Sequence, residues 1–171
     1  MSAAADASGD DASRRVTGWE GRFLEDFVVG DIYRHAHGRT ITQTDNTWFT
    51  LLTNNTHDVH YNADYASRTE FGKPLVVSTL TLAVVTGLSV EDVSRNAVAN
   101  LGWENVRLTA PVFAGDTIYA ESEVLEVRPS RSRPTQGIVR VRTRGFNQDG
   151  VTILEFERAV LVYTRAGRPG A

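Results

Sequence analysis

The 171 residues suffice for one domain with a sizeable core, and a composition of 41% hydrophobic and 23% charged residues is ordinary for a soluble globular protein. A net charge of −3 argues against nucleic acid as the main partner, and the absence of cysteine excludes disulfides, thiolate catalysis and cysteine metal sites. No apolar stretch reaches the roughly 18–20 residues of a membrane span, and the N-terminus lacks a signal-peptide profile, so the expected compartment is the cytoplasm.

Met1 to about Gly18 is rich in Ala, Ser and Asp without apolar periodicity and reads as a disordered tail. One domain over 19–165 and a short frayed tail over 166–171 follow. Trp19, Phe23 and Phe27 recur every four residues, as one helical turn or as a segment laid over the core. Val28-Val29-Gly30-Asp31 turns the chain into an expected strand, Ile32 to Ile41. His35 and His37 would share one face of it, since side chains repeat every second residue. Such a pair can ligate metal, but with no carboxylate beside it the expectation is a solvated face.

Thr42-Gln43-Thr44-Asp45 has capping character, with Thr42 able to bond the amide of Asp45 and an acid placed at the positive helix end. A helix from about Gln43 to Leu52 is expected, burying Trp48, Phe49, Leu51 and Leu52. The stretch that ends it, Thr53 to Asn62, is dense in amide, hydroxyl and imidazole groups between apolar flanks. Two of the four histidines, His57 and His60, fall there. Loops on a rigid scaffold carry most chemistry, and histidine titrates near neutrality unaided, so this is a candidate site; the alternative is a polar turn with two ordinary histidines. Ala63 to Arg68 is expected as a second short helix, and Gly72-Lys73-Pro74 as a break.

Leu75 to Leu88 is the most apolar run of the chain. Its length favours a helix beginning near Ser78, a good N-cap, and ending at Gly87 or slightly beyond, with a strand as the competing reading of its β-branched content. Apolar nearly all round, such a helix should be fully buried.

From Trp103 the pattern changes to strands. Asn105 to Leu108 is a short one, closed by Ala110-Pro111, and Ala114-Gly115-Asp116 is a turn into a long strand, Thr117 to Val127. Pro129 to Pro134 is a polar connection. Ile138 to Arg144 alternates, with Val139, Val141 and Thr143 on one face and Arg140, Arg142 and Arg144 on a solvated one. Asn147-Gln148-Asp149-Gly150 turns into a last strand, Val151 to Tyr163. There Leu154, Phe156, Val160 and Val162 share a face with Arg158, which should be paired or lie at a rim because an unpaired buried charge is costly. One buried helix among long antiparallel strands describes an α+β domain with a sheet wrapped round a helix.

From Phe23 to Tyr163 the chain resembles the MaoC-like dehydratase family, which has the hot-dog fold. The family motif reads aromatic, about two residues, Thr/Ser-Gly-Asp-x-Asn-Pro-x-His, then five residues and a small one. Phe49 to His60 fits it in frame, with Ala66 at the small position. Thr53 and His60 match, while Asn54 replaces Gly, Asn55 the catalytic Asp, His57 the Asn and Asp58 the Pro. Asp45 to Leu52 and Ser78 to Ala83 are similar to the subgroup of mesaconyl-CoA and β-methylmalyl-CoA hydratases.

The resemblance implies reversible addition of water to an enoyl thioester, carried by CoA or a carrier protein, with no cofactor and no metal. It makes His60 the principal general base and acid. Asn55 would orient water, and His57 would act as a second proton carrier, as a hydrogen-bond partner to substrate or as a plain polar residue; in an alternative, Asp58 orients one of the imidazoles. Backbone amides near Ser78 and Thr79 would receive the thioester oxygen at the helix N-terminus. Arg128, Arg131 and Arg133 form a basic cluster suited to CoA phosphates. Subunits of this kind pair, so a homodimer or larger homo-oligomer is implied. A degenerate thioester-binding or partner subunit and a thioesterase are the alternatives.

Overall fold

The computed structural model describes residues 18–169, so the expected N-terminal tail lies outside the described residues apart from Gly18. Among them are six strands: β1 (Ile32–Arg34), β2 (Arg39–Thr40), β3 (Ala97–Leu108), β4 (Thr117–Pro129), β5 (Gln136–Phe146) and β6 (Thr152–Tyr163). Every pairing is antiparallel, in the order β1-β4-β5-β6-β3, with β2 also on β4. Three helices, α1 (Gln43–Leu52), α2 (Ala63–Ser67) and α3 (Ser78–Leu88), accompany the sheet.

The strands after Trp103 follow their alternation. Val139, Val141 and Thr143 are buried on β5, while Arg140, Arg142 and Arg144 form ion pairs with Glu104, Glu157, Glu123 and Glu121 on the outer face. The inner face receives α3, which packs on β4, β5 and β6 through Leu80 and Val85. Burying such a side chain stabilises by about 1.5–3 kcal/mol. Gly145 of β5 lies directly under Val85, where a Cβ would collide with the valine methyls, so the missing side chain lets helix and strand approach. Two apolar clusters result, one around α3 with Ile41, Ile118 and Phe156, the other around Phe27, Val93, Val139 and Val160.

Several expectations are corrected. The strand expected over Ile32–Ile41 is broken, because His35–Gly38 leave the ladder and His35 turns inward. β3 begins at Ala97 rather than Asn105. Three register irregularities against β6 erase its alternation, which is why no period was visible there. Beyond β6 the chain makes a further turn at Arg165–Gly167, and the amide of Arg165 donates to the Glu25 carboxylate at 3.2 Å.

The face of α1 differs from the expected one. Its buried residues are Asn46 and Thr50, and Phe49 is half-buried against the α3 cluster as expected, whereas Trp48, Leu51 and Leu52 are 62%, 69% and 76% exposed. Nor is α3 fully buried in this chain, since Ser78, Thr79, Ala83 and Gly87 are exposed. Arg158 is neither at a rim nor ion-paired among the described residues. It is buried in the core, donates to Ser89 Oγ at 2.9 Å, and its pKa is lowered by desolvation to about 10.

Candidate active site

The polar stretch is organised by local chemistry. Thr42 Oγ1 accepts from the Asp45 amide at 3.1 Å, the cap expected from the sequence, and the Asp45 carboxylate in turn accepts from the Thr42 amide at 2.8 Å, which makes the cap reciprocal. At the other end of α1, Asn54 has φ of 53°, a left-handed conformation that favours glycine and, after it, asparagine. That explains asparagine where the related motif carries glycine. Asn55 Oδ1 accepts from the His57 amide at 3.1 Å, closing a side-chain turn. A single 3-10 turn, Asp58–His60, follows and sinks Val59 and His60.

His60 is 8% exposed, and its Nδ1 lies 2.8 Å from the carbonyl oxygen of Leu75. A carbonyl can only accept, so Nδ1 carries the proton and the neutral ring presents an unprotonated Nε2. His57 has the opposite arrangement. Its exposed ring accepts from the Val59 amide through Nδ1 at 3.2 Å, which places the proton of the neutral ring on Nε2. The two rings meet edge to face with centroids 5.8 Å apart, and Tyr65 flanks His57 at 6.1 Å. Asp58 makes no hydrogen bond to either imidazole among the described residues, contrary to the orienting role considered for it.

Asn46 joins this turn to the start of α3. Fully buried, its Nδ2 donates to the carbonyls of His60 at 2.7 Å and Leu75 at 3.0 Å, and its Oδ1 accepts from the Val77 amide at 2.9 Å. Gln43, one turn earlier, adds a donor to the His60 carbonyl at 2.9 Å. The N-cap of α3 is Val77, not Ser78, and its side chain cannot accept a hydrogen bond. Consequently the amides of Ser78 and Thr79 have no acceptor among the described residues, at the positive end of the helix. A groove of about 300 Å³ opens there, lined by Leu75, Ser78, Thr81, Leu108 and Phe71; His60 is not part of its lining, and its link to it is the hydrogen bond to the Leu75 carbonyl.

The structure thus ties His60 to the start of α3, where Ser78 and Thr79 stand, through Leu75, with His57 packed on the His60 ring and Asn55 bonded to the His57 amide. It does not bring the arginine cluster there. Arg128, Arg131 and Arg133 stand on the β4–β5 hairpin, and Arg128 pairs with Glu126 at 3.0 Å. The path to α1 leaves the sheet at the opposite end of β4, where Thr40 pairs with Thr117, about 40 Å away at roughly 3.3 Å per residue.

Two polar groupings escaped sequence reasoning. Asn46 was signalled only as a weak helix former inside a helix. The second is built on His35, whose Nδ1 is 2.8 Å from Asp92 Oδ2 and whose Nε2 is 2.9 Å from Ser122 Oγ. Asp92 arrives on a π-turn, Val90–Ser94, that continues from α3, and also accepts from Arg22 Nη1 at 2.7 Å. Burial pushes His35 below its ordinary pKa against the opposing pull of Asp92. Burial would raise Asp92, but the hydrogen bonds from His35 and Arg22 hold it below the usual carboxylate range. The serine–imidazole–carboxylate order imitates a hydrolase, yet Ser122 is 0% exposed and also bonded to Thr143 at 2.9 Å, so no substrate reaches its oxygen. His37 is exposed and separate, and the expected solvated pair does not form.

A family model described as mesaconyl-CoA hydratase matches residues 5–168. The mesaconyl-CoA hydratase of Cereibacter sphaeroides is 37% identical over 85% of this chain and 42% of that protein. A solved MaoC domain protein dehydratase from Chloroflexus aurantiacus superposes with a TM-score of 0.83 at 33% identity, covering 92% of this chain and 44% of that one. A Mycobacterium tuberculosis protein with a double hotdog fold superposes with a TM-score of 0.77 at 22% identity, over 89% of this chain and 47% of its own. These likenesses show the hot-dog fold. The chain spans less than half the length of the curated relatives it matches.

Proposed function

Because the chain belongs to the mesaconyl-CoA hydratase family, we propose that its site adds water reversibly to the double bond of an enoyl-CoA thioester, with His60 as the proton carrier. The observation that carries this reading is the hydrogen bond from His60 Nδ1 to the Leu75 carbonyl, which leaves Nε2 basic in a buried turn tied to the free amides of α3. Nε2 takes a proton from water as the water oxygen bonds to the β-carbon. The π electrons move to the thioester oxygen, and the amides of Ser78 and Thr79 stabilise the enolate. The imidazolium returns its proton to the α-carbon, and the reverse sequence expels water from a 3-hydroxyacyl thioester.

Asn55 accepts no proton, but its amide N–H groups orient the attacking water. His57, with Nδ1 occupied by the Val59 amide, has a proton to offer through Nε2 and does not serve as the second base. One imidazole therefore handles both transfers. Arg128, Arg131 and Arg133 would meet the phosphates of a CoA whose acyl group sits elsewhere only across a subunit boundary.

The acting unit is a pair of copies. Trp103 and Leu108 of the edge strand β3 stand opposite Arg158 and Leu154 of β6, on the helix-packed face, yet are 45% and 52% exposed. An inner face that continues past the last strand calls for more protein beyond it. Relatives more than twice the length of this chain, and the double hotdog fold of one structural neighbour, are consistent with a second hot-dog unit at that place.

The test is incubation with crotonyl-CoA and mesaconyl-CoA. Reversible loss of enoyl absorbance supports hydration. Release of free thiol would reassign the site to hydrolysis, and binding without either change would make it a degenerate thioester-binding unit.

A further inference from the structure

We propose that Asn46 is a positioning residue that holds the proton carrier and the oxyanion amides in one frame, an inference that rests on the hydratase reading above. Its carboxamide bonds to both halves of the site and makes no other hydrogen bond among the described residues. One N–H engages the main chain of His60, the other engages the carbonyl that orients the His60 ring, and the oxygen engages the amide immediately ahead of Ser78. The orientation of the group is decided by these partners. A flipped amide would set its oxygen against two carbonyls and its NH₂ against an N–H.

The Leu75 carbonyl thereby accepts from Asn46 Nδ2 and His60 Nδ1 together, filling both lone pairs. With that oxygen pinned, the ring has one place to put its Nδ1 proton. Thr50, the other buried polar residue of α1, shows the contrast: its hydroxyl donates to Thr47 within the same helix at 2.7 Å and reaches no part of the site. Asparagine is a poor residue for a helix interior, so its place in α1 is accounted for by what it holds and not by what it does for the helix.

The test compares Asn46→Ala, Asn46→Asp and Thr50→Val in the full chain, each checked for folding by circular dichroism. The Asp variant keeps the shape and the acceptor while removing both donors, so it decides the matter if the Ala variant does not fold. Imidazole nitrogen NMR reads the His60 tautomer, and steady-state kinetics read the split between kcat and KM. The expected result is loss of the single Nδ1–H tautomer in both Asn46 variants. With it, kcat should fall about 10²-fold and KM should stay within about threefold, since misplacement of roughly an ångström has that effect on rate. Thr50→Val should keep both signatures. A wild-type tautomer, or an unchanged kcat, in a folded Asn46 variant would overturn the inference. If the wild type hydrates no enoyl thioester, the hydratase reading fails, and the tautomer comparison still tests the frame by itself.

Discussion

The imidazole of His60 donates to the carbonyl of Leu75 at 2.8 Å, and Leu75 stands three residues ahead of Ser78, the first residue of α3. Base and oxyanion donors are thus linked through a few bonds of main chain and one hydrogen bond. Changing His60 to Ala should lower turnover of a good enoyl-CoA by about 10²–10⁴-fold, the usual contribution of a positioned acid–base group. Near-normal turnover would defeat the assignment.

The amide of Ser78 can be deleted without disturbing the helix. Proline is accepted at the first helical position, and Val77, with φ of −64° and ψ of 134°, already has the conformation a residue before proline requires. Ser78→Pro should fold normally and lose about 10²–10³-fold in kcat, as when one oxyanion donor is removed elsewhere. A Ser78→Ala variant, which keeps the amide, should retain activity. Equal losses in the two would place the effect in the hydroxyl.

Pairing of two copies predicts a mass in solution twice that of the chain. Trp103→Glu combined with Leu108→Glu places charges where the inner face continues beyond β3, and should yield a folded monomer with little activity. A wild type that is monomeric at micromolar concentration in light scattering, and active, would rule the pairing out.

Acid should weaken the fold through His35. Its folded pKa lies below the ordinary value of about 6.5, so the unfolded chain takes up the proton first. Its contribution to stability is complete above that pH and is lost as pH falls towards the lower folded value. Asp92, held below the usual carboxylate range, adds a second loss in more acidic solution. His35→Gln should melt lower than wild type at pH 7.5 but show a shallower decline between pH 7.5 and 5. Parallel melting curves across that range would remove His35 from the account.

Arg158 is a buried cation whose only hydrogen bond among the described residues is to a serine, with its Nε unpartnered among them. Replacing a poorly compensated internal charge by an apolar side chain of similar length is commonly neutral or stabilising by about 1–4 kcal/mol. Arg158→Met should therefore raise the melting temperature or leave it unchanged. Ser89 would still donate to the Thr86 carbonyl at 2.7 Å. A fall of several degrees would mean that the guanidinium is better held than its hydrogen bonds indicate.

What could be read in advance was the chemistry carried by near neighbours. The Thr42–Asp45 cap, the alternation of β5 and the apolar run that forms α3 all concern residues within a few positions of one another, and each emerged as expected. What resisted reading was set by distant partners. His35 looked solvated because Asp92 and Ser122 lie 57 and 87 residues away. Burial normally follows apolarity, so Trp48, Phe49, Leu51 and Leu52 were expected on the inward face of α1. In this chain the fully buried positions go to Asn46 and Thr50, Phe49 alone of the four packs on the core, and Trp48, Leu51 and Leu52 face out. His60 stood out by the polar groups around it and by its place in the motif, whereas nothing within a few positions of Asn46 marks the carbonyls and the amide, 14 to 31 residues away, that it holds.

The two borders of the sheet are unequal, one a continuous run of twelve residues and the other split into pieces of three and two by the detour at His35–Gly38. Endless head-to-tail stacking would need a long border on each side to serve as plug and socket. With a single usable border, edge-to-edge growth stops once one neighbour has been added. The kink that buries a histidine thereby also works against open-ended stacking of sheet on sheet.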